Sequence, residues 1–241
     1  MRGVVVLIAA LAWGLSQTGA APALARDISQ AGAAPAHEHS RPTVLAPGYA
    51  DLEFVPPPAG SYLLPPLGRA ADGEVLDSLG VPHNVHDLLG DKIVVLSFIF
   101  TTCSDINGCP LATHVLKGVQ DRLMESADLS NNVRLISFSF DPTHDTPEVL
   151  RAYGRHFRNA EFDWRFVTCR SEEVLAPILS EFGQSVIKDY DLQGNAIGTM
   201  SHVLRVYLID RQKRIRNIYS TSFLHADTLA NDIRTLALES G

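Results

Sequence analysis

The sequence predicts an α/β protein, with one mixed central sheet flanked by helices and an N-terminal extension. Three patterns predict it. Residues 93–100 (IVVLSFIF) are a continuous apolar run, which suits a strand buried on both faces. Strand-like and helix-like segments then alternate, an order that gives parallel strands with right-handed helical crossovers. Near the C-terminal end, residues 203–210 (VLRVYLID) and 214–219 (RIRNIY) flank a tight Arg211-Gln212-Lys213 turn. That hairpin makes the sheet mixed rather than all parallel.

The elements follow in order. Residues 31–73 are rich in Pro and Gly and read as a linker with a loosely built lead-in; residues 26–45, rich in Ala, Pro and His, lack the apolar content to fold. Ala71-Asp72-Gly73 reads as a turn. Residues 85–90 form a helical turn closed by Gly90. After the strand at 93–100, Pro110 opens a helix reaching about residue 127, because the first helical position needs no N–H. Residues 133–140 are a second buried strand, ended by Asp141-Pro142. Thr146 as N-cap and Pro147 behind it start a helix to Phe157. A short strand at 164–168, a helix at 171–182, the hairpin and a helix at 228–238 complete the chain. The organisation predicted is a signal at 1–25, a flexible linker at 26–60 and one folded domain at 61–241.

Composition agrees with a single globular domain plus extensions: 46% hydrophobic and 20% charged over 241 residues. Arg2 precedes an uncharged, largely apolar run over residues 3–15, and Ala23-Leu24-Ala25 is a small-x-small cleavage site. This predicts export to the periplasm with cleavage after Ala25. The run is shorter than the ~20 residues of a membrane span, although an uncleaved anchor would keep the protein membrane-associated. Losing Arg2 takes the net charge from −7 to −8. Such an acidic protein is a poor partner for nucleic acid or anionic membrane surfaces.

The three cysteines, at 103, 109 and 169, cannot form a disulfide framework for a domain of this size. The close pair therefore reads as redox-active or metal-binding. Cys103 follows a buried strand and Cys109 precedes a helix start. Asn107-Gly108 can supply a positive-φ turn that folds one thiol back on the other. Free N–H groups and the helix dipole at this place favour thiolates, which serve as nucleophiles and as metal ligands. Two thiolates select Cu(I), Zn(II) or iron–sulfur clusters. Structural zinc wants four protein ligands, whereas two sulfurs and one imidazole suit three-coordinate Cu(I). A metal-free redox disulfide fits the spacing equally well.

The segment Phe100-Thr101-Thr102-Cys103, then Cys109-Pro110, then Asp141-Pro142-Thr143-His144-Asp145-Thr146-Pro147, then Ser201-His202 before Val206-Tyr207-Leu208-Ile209-Asp210, resembles in that order the Sco/SenC family. These are copper-binding proteins that assemble the copper A centre of cytochrome c oxidase. The resemblance spans about residues 60–240. It implies a thioredoxin-like fold, one copper ion, and the ligands Cys103, Cys109 and His202. It also implies an exported cuproprotein partner such as cytochrome c oxidase subunit II, with a thioredoxin-like protein as possible reductant. The family usually places three residues between the cysteines. Here there are five, which resembles a longer-spacer branch and demands a protruding loop. Ser201 stands where an Asp often precedes the histidine. Asp141 or Asp145 could then be the carboxylate behind the ligands, or could simply cap the loop and helix.

The remaining candidates read more plainly. His37 and His39 belong to a solvated linker. His83 and His86 flank a turn, His144 occupies a variable position, and His156 and His225 are expected at the surface. His114, one turn past Cys109, could approach the site but is expected to be exposed. Cys169 reads as a buried inert thiol, with exchange with the active pair as the alternative. Three further function classes stay open: a thiol–disulfide oxidoreductase, which normally carries Cys-x-x-Cys, a thiol peroxidase, and a binding or scaffold module.

Overall fold

The structure, a computed structural model, describes residues 43–239. The expected signal, residues 26–42 of the expected linker, and the His37/His39 pair lie outside the described residues. The elements are β1 (Gly68–Arg69), β2 (Glu74–Asp77), β3 (Pro82–Asn84), α1 (Val85–Leu89), β4 (Ile93–Ile99), α2 (Cys109–Met124), α3 (Ala127–Asn132), β5 (Val133–Ser139), α4 (Pro147–Gly154), β6 (Trp164–Thr168), α5 (Glu172–Glu181), β7 (Val186–Tyr190), β8 (Ala196–His202), β9 (Val206–Ile209), β10 (Arg214–Tyr219) and α6 (Ala226–Glu239).

The main sheet runs β1-β10-β9-β4-β5-β6-β2-β3. The two apolar runs form its centre: β4 and β5 pair in parallel from Ile93↔Val133 to Ile99↔Ser139, and β5 pairs in parallel with β6. On the other side β9 lies antiparallel to β4 and β10 antiparallel to β9. All seven residues of β4 are buried, because alternate side chains enter two different cores. Ile93 and Val95, with Leu135 and Leu208, face α2, α4 and α6. Val94, Leu96 and Phe98, with Ile136 and Tyr207, face α1 and α5. This is the mixed, helix-flanked, thioredoxin-like sheet that the sequence predicts. The Thr146 hydroxyl accepts from Val149 N, capping α4 as expected.

Several boundaries differ. The helix expected to reach residue 127 stops at Met124, and residues 127–132 form a separate turn of helix, α3. The strand expected from residue 203 starts at Val206. Ahead of it stands the unpredicted hairpin β7–β8, a two-stranded sheet of its own. Its turn is organised by Asp191, whose Oδ1 accepts from Gln193 N at 2.9 Å and Asn195 N at 2.8 Å.

Residues 43–60, read from composition as linker, belong to the compact unit 43–241. The segment is bonded to the helical layer at several points. Asn231 Nδ2 donates to Pro57 O at 2.9 Å, Gly60 N to Thr235 Oγ1 at 3.1 Å, and Tyr62 OH to Asp232 Oδ1 at 2.5 Å. His225 pairs with Ala50 O at 2.9 Å. This covering corrects the expectation that His225 is exposed: it is buried. Among the described residues, no helix is long and apolar enough to cross a membrane.

Candidate metal centre

The candidate site lies where β4 gives way to α2. Phe100 and Phe140 follow β4 and β5 directly and pack against each other, with centroids 5.1 Å apart. Cys109 is the first residue of α2 and is fully buried, whereas Cys103, on the connecting loop, is partly exposed. All three cysteines are free thiols. The turn between the pair is not the positive-φ turn expected at Asn107-Gly108, since Gly108 has φ −98°. Asp105 makes it instead: its Oδ1 accepts from Asn107 N at 3.0 Å and its carbonyl from Gly108 N at 2.9 Å. A Cβ on Gly108 would come within 3.2 Å of that carbonyl, so a residue without one suits the closure.

The two thiols are unequal partners. The Cys109 thiol donates to Cys103 sulfur, and the Cys109 backbone N–H, a free donor at the start of α2, also points there. Together they outweigh burial and draw Cys103 down to about 6. Cys109 moves the other way, held protonated by its bond to Cys103 and by burial. One thiolate and one thiol therefore share a proton at the helix start.

His202 reaches this pair from the far end of β8. Its Nε2 lies 3.9 Å from Cys109 Sγ, across 93 positions of sequence. The ring rests on the aromatic pair, 4.7 Å from Phe140 and 6.2 Å from Phe100 between centroids. Burial lowers its basicity, which keeps the imidazole neutral and able to bind a metal. A hydrogen bond with the Met200 backbone helps to fix the ring. Ser201 does not take that role: its hydroxyl donates to Asp189 Oδ1 at 3.2 Å, across the hairpin.

The geometry fits an ion between sulfur and nitrogen. A first-row metal with S at ~2.3 Å and N at ~2.0 Å separates the two by about 3.7 Å at trigonal angles. Among the described residues, no three His, Cys, Asp or Glu side chains are already gathered for a metal.

The two carboxylates of the Asp-Pro segment lie behind the loop. Asp145 is buried and accepts from Thr101 N at 3.0 Å, Thr101 Oγ1 at 2.5 Å and Ser139 Oγ at 2.5 Å. It thus holds the chain two residues before Cys103, and burial raises its pKa above the ordinary carboxylate value. Asp141 pairs with His144 Nδ1 at 2.8 Å. Among the described residues, neither carboxylate has a hydrogen bond to His202. His114 is exposed, and with Tyr153 and Lys117 it lines a cavity of about 370 Å³ that opens onto both thiols. A larger groove, about 780 Å³, lies between residues 45–54 and 217–228 and contains none of the expected ligands. Cys169 is buried, donates to Glu74 O at 3.5 Å, and is pushed up to about 12 by burial.

Sequence reasoning did not foresee the hairpin that carries His202, nor residues 44–49, which touch the loop. The hairpin left a signal: Asp191-Leu192-Gln193-Gly194-Asn195 is turn chemistry between two short β-prone runs. Residues 44–49 left none, because they fold only against the rest of the domain.

A thioredoxin-like sheet with a dithiol at a helix start and a histidine brought beside it by a hairpin defines a class of thioredoxin-fold proteins with a thiol-and-imidazole site. The sequence model of the SCO1/SenC family matches residues 72–238, and the chain belongs to that family. It is 26% identical over 133 residues to the SCO1 protein homolog of Bacillus subtilis (strain 168), covering 55% of this chain and 64% of that protein. The chain thus spans a little under two thirds of this relative's length. A SCO1/SenC family lipoprotein from Bacillus anthracis str. Ames has a similar structure, with TM-score 0.61, 27% identity, and coverage of 73% of this chain and 99% of that one. Arabidopsis thaliana ScoI, solved with copper bound, gives TM-score 0.60 at 19% identity over 70% of this chain and 98% of that one, a likeness of fold.

Proposed function

We propose that this protein is an exported copper chaperone. It takes one Cu(I) ion on Cys103, Cys109 and His202 and passes it to a cuproprotein. The copper A site of cytochrome c oxidase subunit II is the target that the family resemblance implies. The 3.9 Å approach of Cys109 Sγ to His202 Nε2, beside a paired thiolate, carries this reading. Cys103, the more exposed thiol, completes the site from the loop. Transfer is ligand exchange: incoming thiolates or imidazoles displace those of the chaperone, and copper keeps its oxidation state. The copper-bound Arabidopsis relative and the signal-like residues 1–25 support the reading. A lipoprotein relative fits a membrane-associated location outside the cytoplasm.

The test is copper stoichiometry on fully reduced protein, beside Cys103→Ser, Cys109→Ser and His202→Ala. One ion per chain in the wild type, retention lost in both cysteine variants and binding weakened in the histidine variant is the expected result. If His202→Ala binds as tightly as wild type, the ligand assignment is wrong.

A second reading, thiol–disulfide exchange with a partner's cysteine pair, is favoured by one observation. Cys103 is a low-pKa thiolate with a protonated thiol beside it, an attacking and a resolving group. Full cellular activity in His202→Ala, with both cysteine variants inactive, would select this reading.

A further inference from the structure

The five residues between Cys103 and Cys109 are held from outside the loop as well as from within. Residues 44–49 cross the loop, and Asn107 meets them with both ends of its amide. Its Nδ2 donates to Val44 O at 2.7 Å and its Oδ1 accepts from Ala46 N at 2.7 Å. The side chain thereby stands in for one residue of a neighbouring strand. Next to it, Tyr49 OH donates to Ile106 O at 2.6 Å, and the Tyr49 ring lies 4.8 Å from His114. The upstream segment is itself firmly seated. Gly48 is buried so closely on the domain that a Cβ would run into Leu224 O and meet Val115 Cγ2 at 3.0 Å. Ala46 and Pro47 accept from Tyr49 N and Ala50 N in a turn of 3₁₀ helix.

We propose that residues 44–49 are a strap that sets the spacing of the two thiols, with Asn107 as the positioning residue through which it acts. A free loop of this length lets its two cysteines drift apart, and closing it costs chain entropy. Pinning Ile106 and Asn107 to a seated strap removes that freedom before any ligand arrives. The strap therefore raises the effective concentration of one thiol at the other. That quantity governs both disulfide formation and chelation of one ion by two sulfurs. The inference rests on the dithiol being the working site, and it holds whether copper or a partner's disulfide is the substrate.

The experiment uses the full chain, metal-free, equilibrated with reduced and oxidised glutathione. Oxidation joins Cys103 and Cys109 through an S–S bond while glutathione disulfide takes up the two electrons, together with the thiol proton and one from solvent, and becomes two glutathione molecules. The oxidised fraction is read by alkylation and mass, with Cys169 protection reporting that the domain is folded. Asn107→Ala is expected to lower the oxidation equilibrium constant about tenfold, the effect of losing a pair of neutral hydrogen bonds, which raises the midpoint potential by ~30 mV. Ala46→Pro keeps the φ −65° that Ala46 already adopts, removes the strap's N–H and sets its ring against Asn107 Oδ1, so it breaks the strap–loop bond from the strap side. It should shift the potential in the same direction, and the double variant should go no further than Asn107→Ala alone. Tyr49→Phe, which lacks only a hydroxyl, should give a smaller shift of the same sign. An unchanged potential in Asn107→Ala overturns the proposal. So does a shift in Asn107→Ala that neither strap variant reproduces, because the loop would then be organised without the strap. If Asn107→Ala exposes Cys169, the two strap variants decide alone: shifts in both support the proposal, and wild-type potentials in both overturn it. Failure of copper binding would leave these potentials, and this inference, untouched.

Discussion

The two halves of the candidate site are built differently. The thiol half sits at the end of a fully buried central strand and is tied down at three places: Asp145 holds Thr101, Asp105 closes the turn, and Asn107 grips the strap. The histidine half hangs on a separate two-stranded hairpin that pairs with no strand of the main sheet. Ile187, Tyr190, Leu192 and Ile197 of that hairpin are exposed. His202 is placed by an aromatic platform and one backbone contact. A carrier gains from this asymmetry. On the proposed function, the tied-down dithiol would retain the ion, and the lightly held histidine would be the ligand to leave first when an acceptor approaches.

The largest test of this contrast is on the fixed half. Cys109→Ser or Cys103→Ser should strip Cu(I) from the reduced protein completely in the presence of a competing chelator, read by metal analysis. His202→Ala should retain the ion on the two thiols but weaken binding by at least ~100-fold, since losing a direct ligand costs no less than losing an outer partner of one. Equal losses in the thiol and histidine variants would abolish the contrast.

Asp145→Ala probes the tie behind the thiols. It leaves Thr101 N–H without its acceptor and should cost about 2 kcal/mol. For a domain of this size the melting temperature should fall by ~4–8 °C. A variant that melts like wild type would remove Asp145 from the supports of the loop.

The proton shared by the thiols gives a pH signature. Cys103 has its pKa drawn down to about 6, so raising pH through 6 converts it to thiolate. Its alkylation rate should climb below that pH and level off above it. In Cys109→Ala, which removes the donor, the rise should move toward ~8.5, the value of an unperturbed thiol. A rise near 8.5 in the wild type would mean that the pair is not coupled. The smallest effect is expected from Cys169→Ala, since that thiol is buried, bonded to Glu74 O and held protonated up to about pH 12. Copper stoichiometry and midpoint potential should not change; a shift in either would bring Cys169 into the exchange.

Periodicity made the centre of the fold readable. The runs at 93–100 and 133–140 announce buried strands because their apolar residues are dense and broken only by small serines and one arginine, and Thr146-Pro147 announces a helix because its cap is local. The cysteine pair was readable because its chemistry is local too. What escaped depends on partners distant in sequence. Residues 43–60 look like a linker until α6 supplies Asn231 and Thr235 for their backbone groups. His225 looks exposed until Ala50 covers it. The position of His202 rests on a hairpin whose strands are mostly half-buried or exposed, so burial left no strong pattern there. Asn107-Gly108 suggested the wrong turn because the Asp105 side chain closes the loop by a route that dihedral preferences alone do not reveal.

One consequence concerns where this protein is cut. The family match begins at residue 72, and a shortened protein drawn to that boundary would contain both cysteines, the histidine and the main sheet from β2 onward, losing only the edge strand β1. It would lack Val44, Ala46 and Tyr49. Two such preparations, long and short, would share every ligand yet differ as chelators, and affinities measured on one would not transfer to the other.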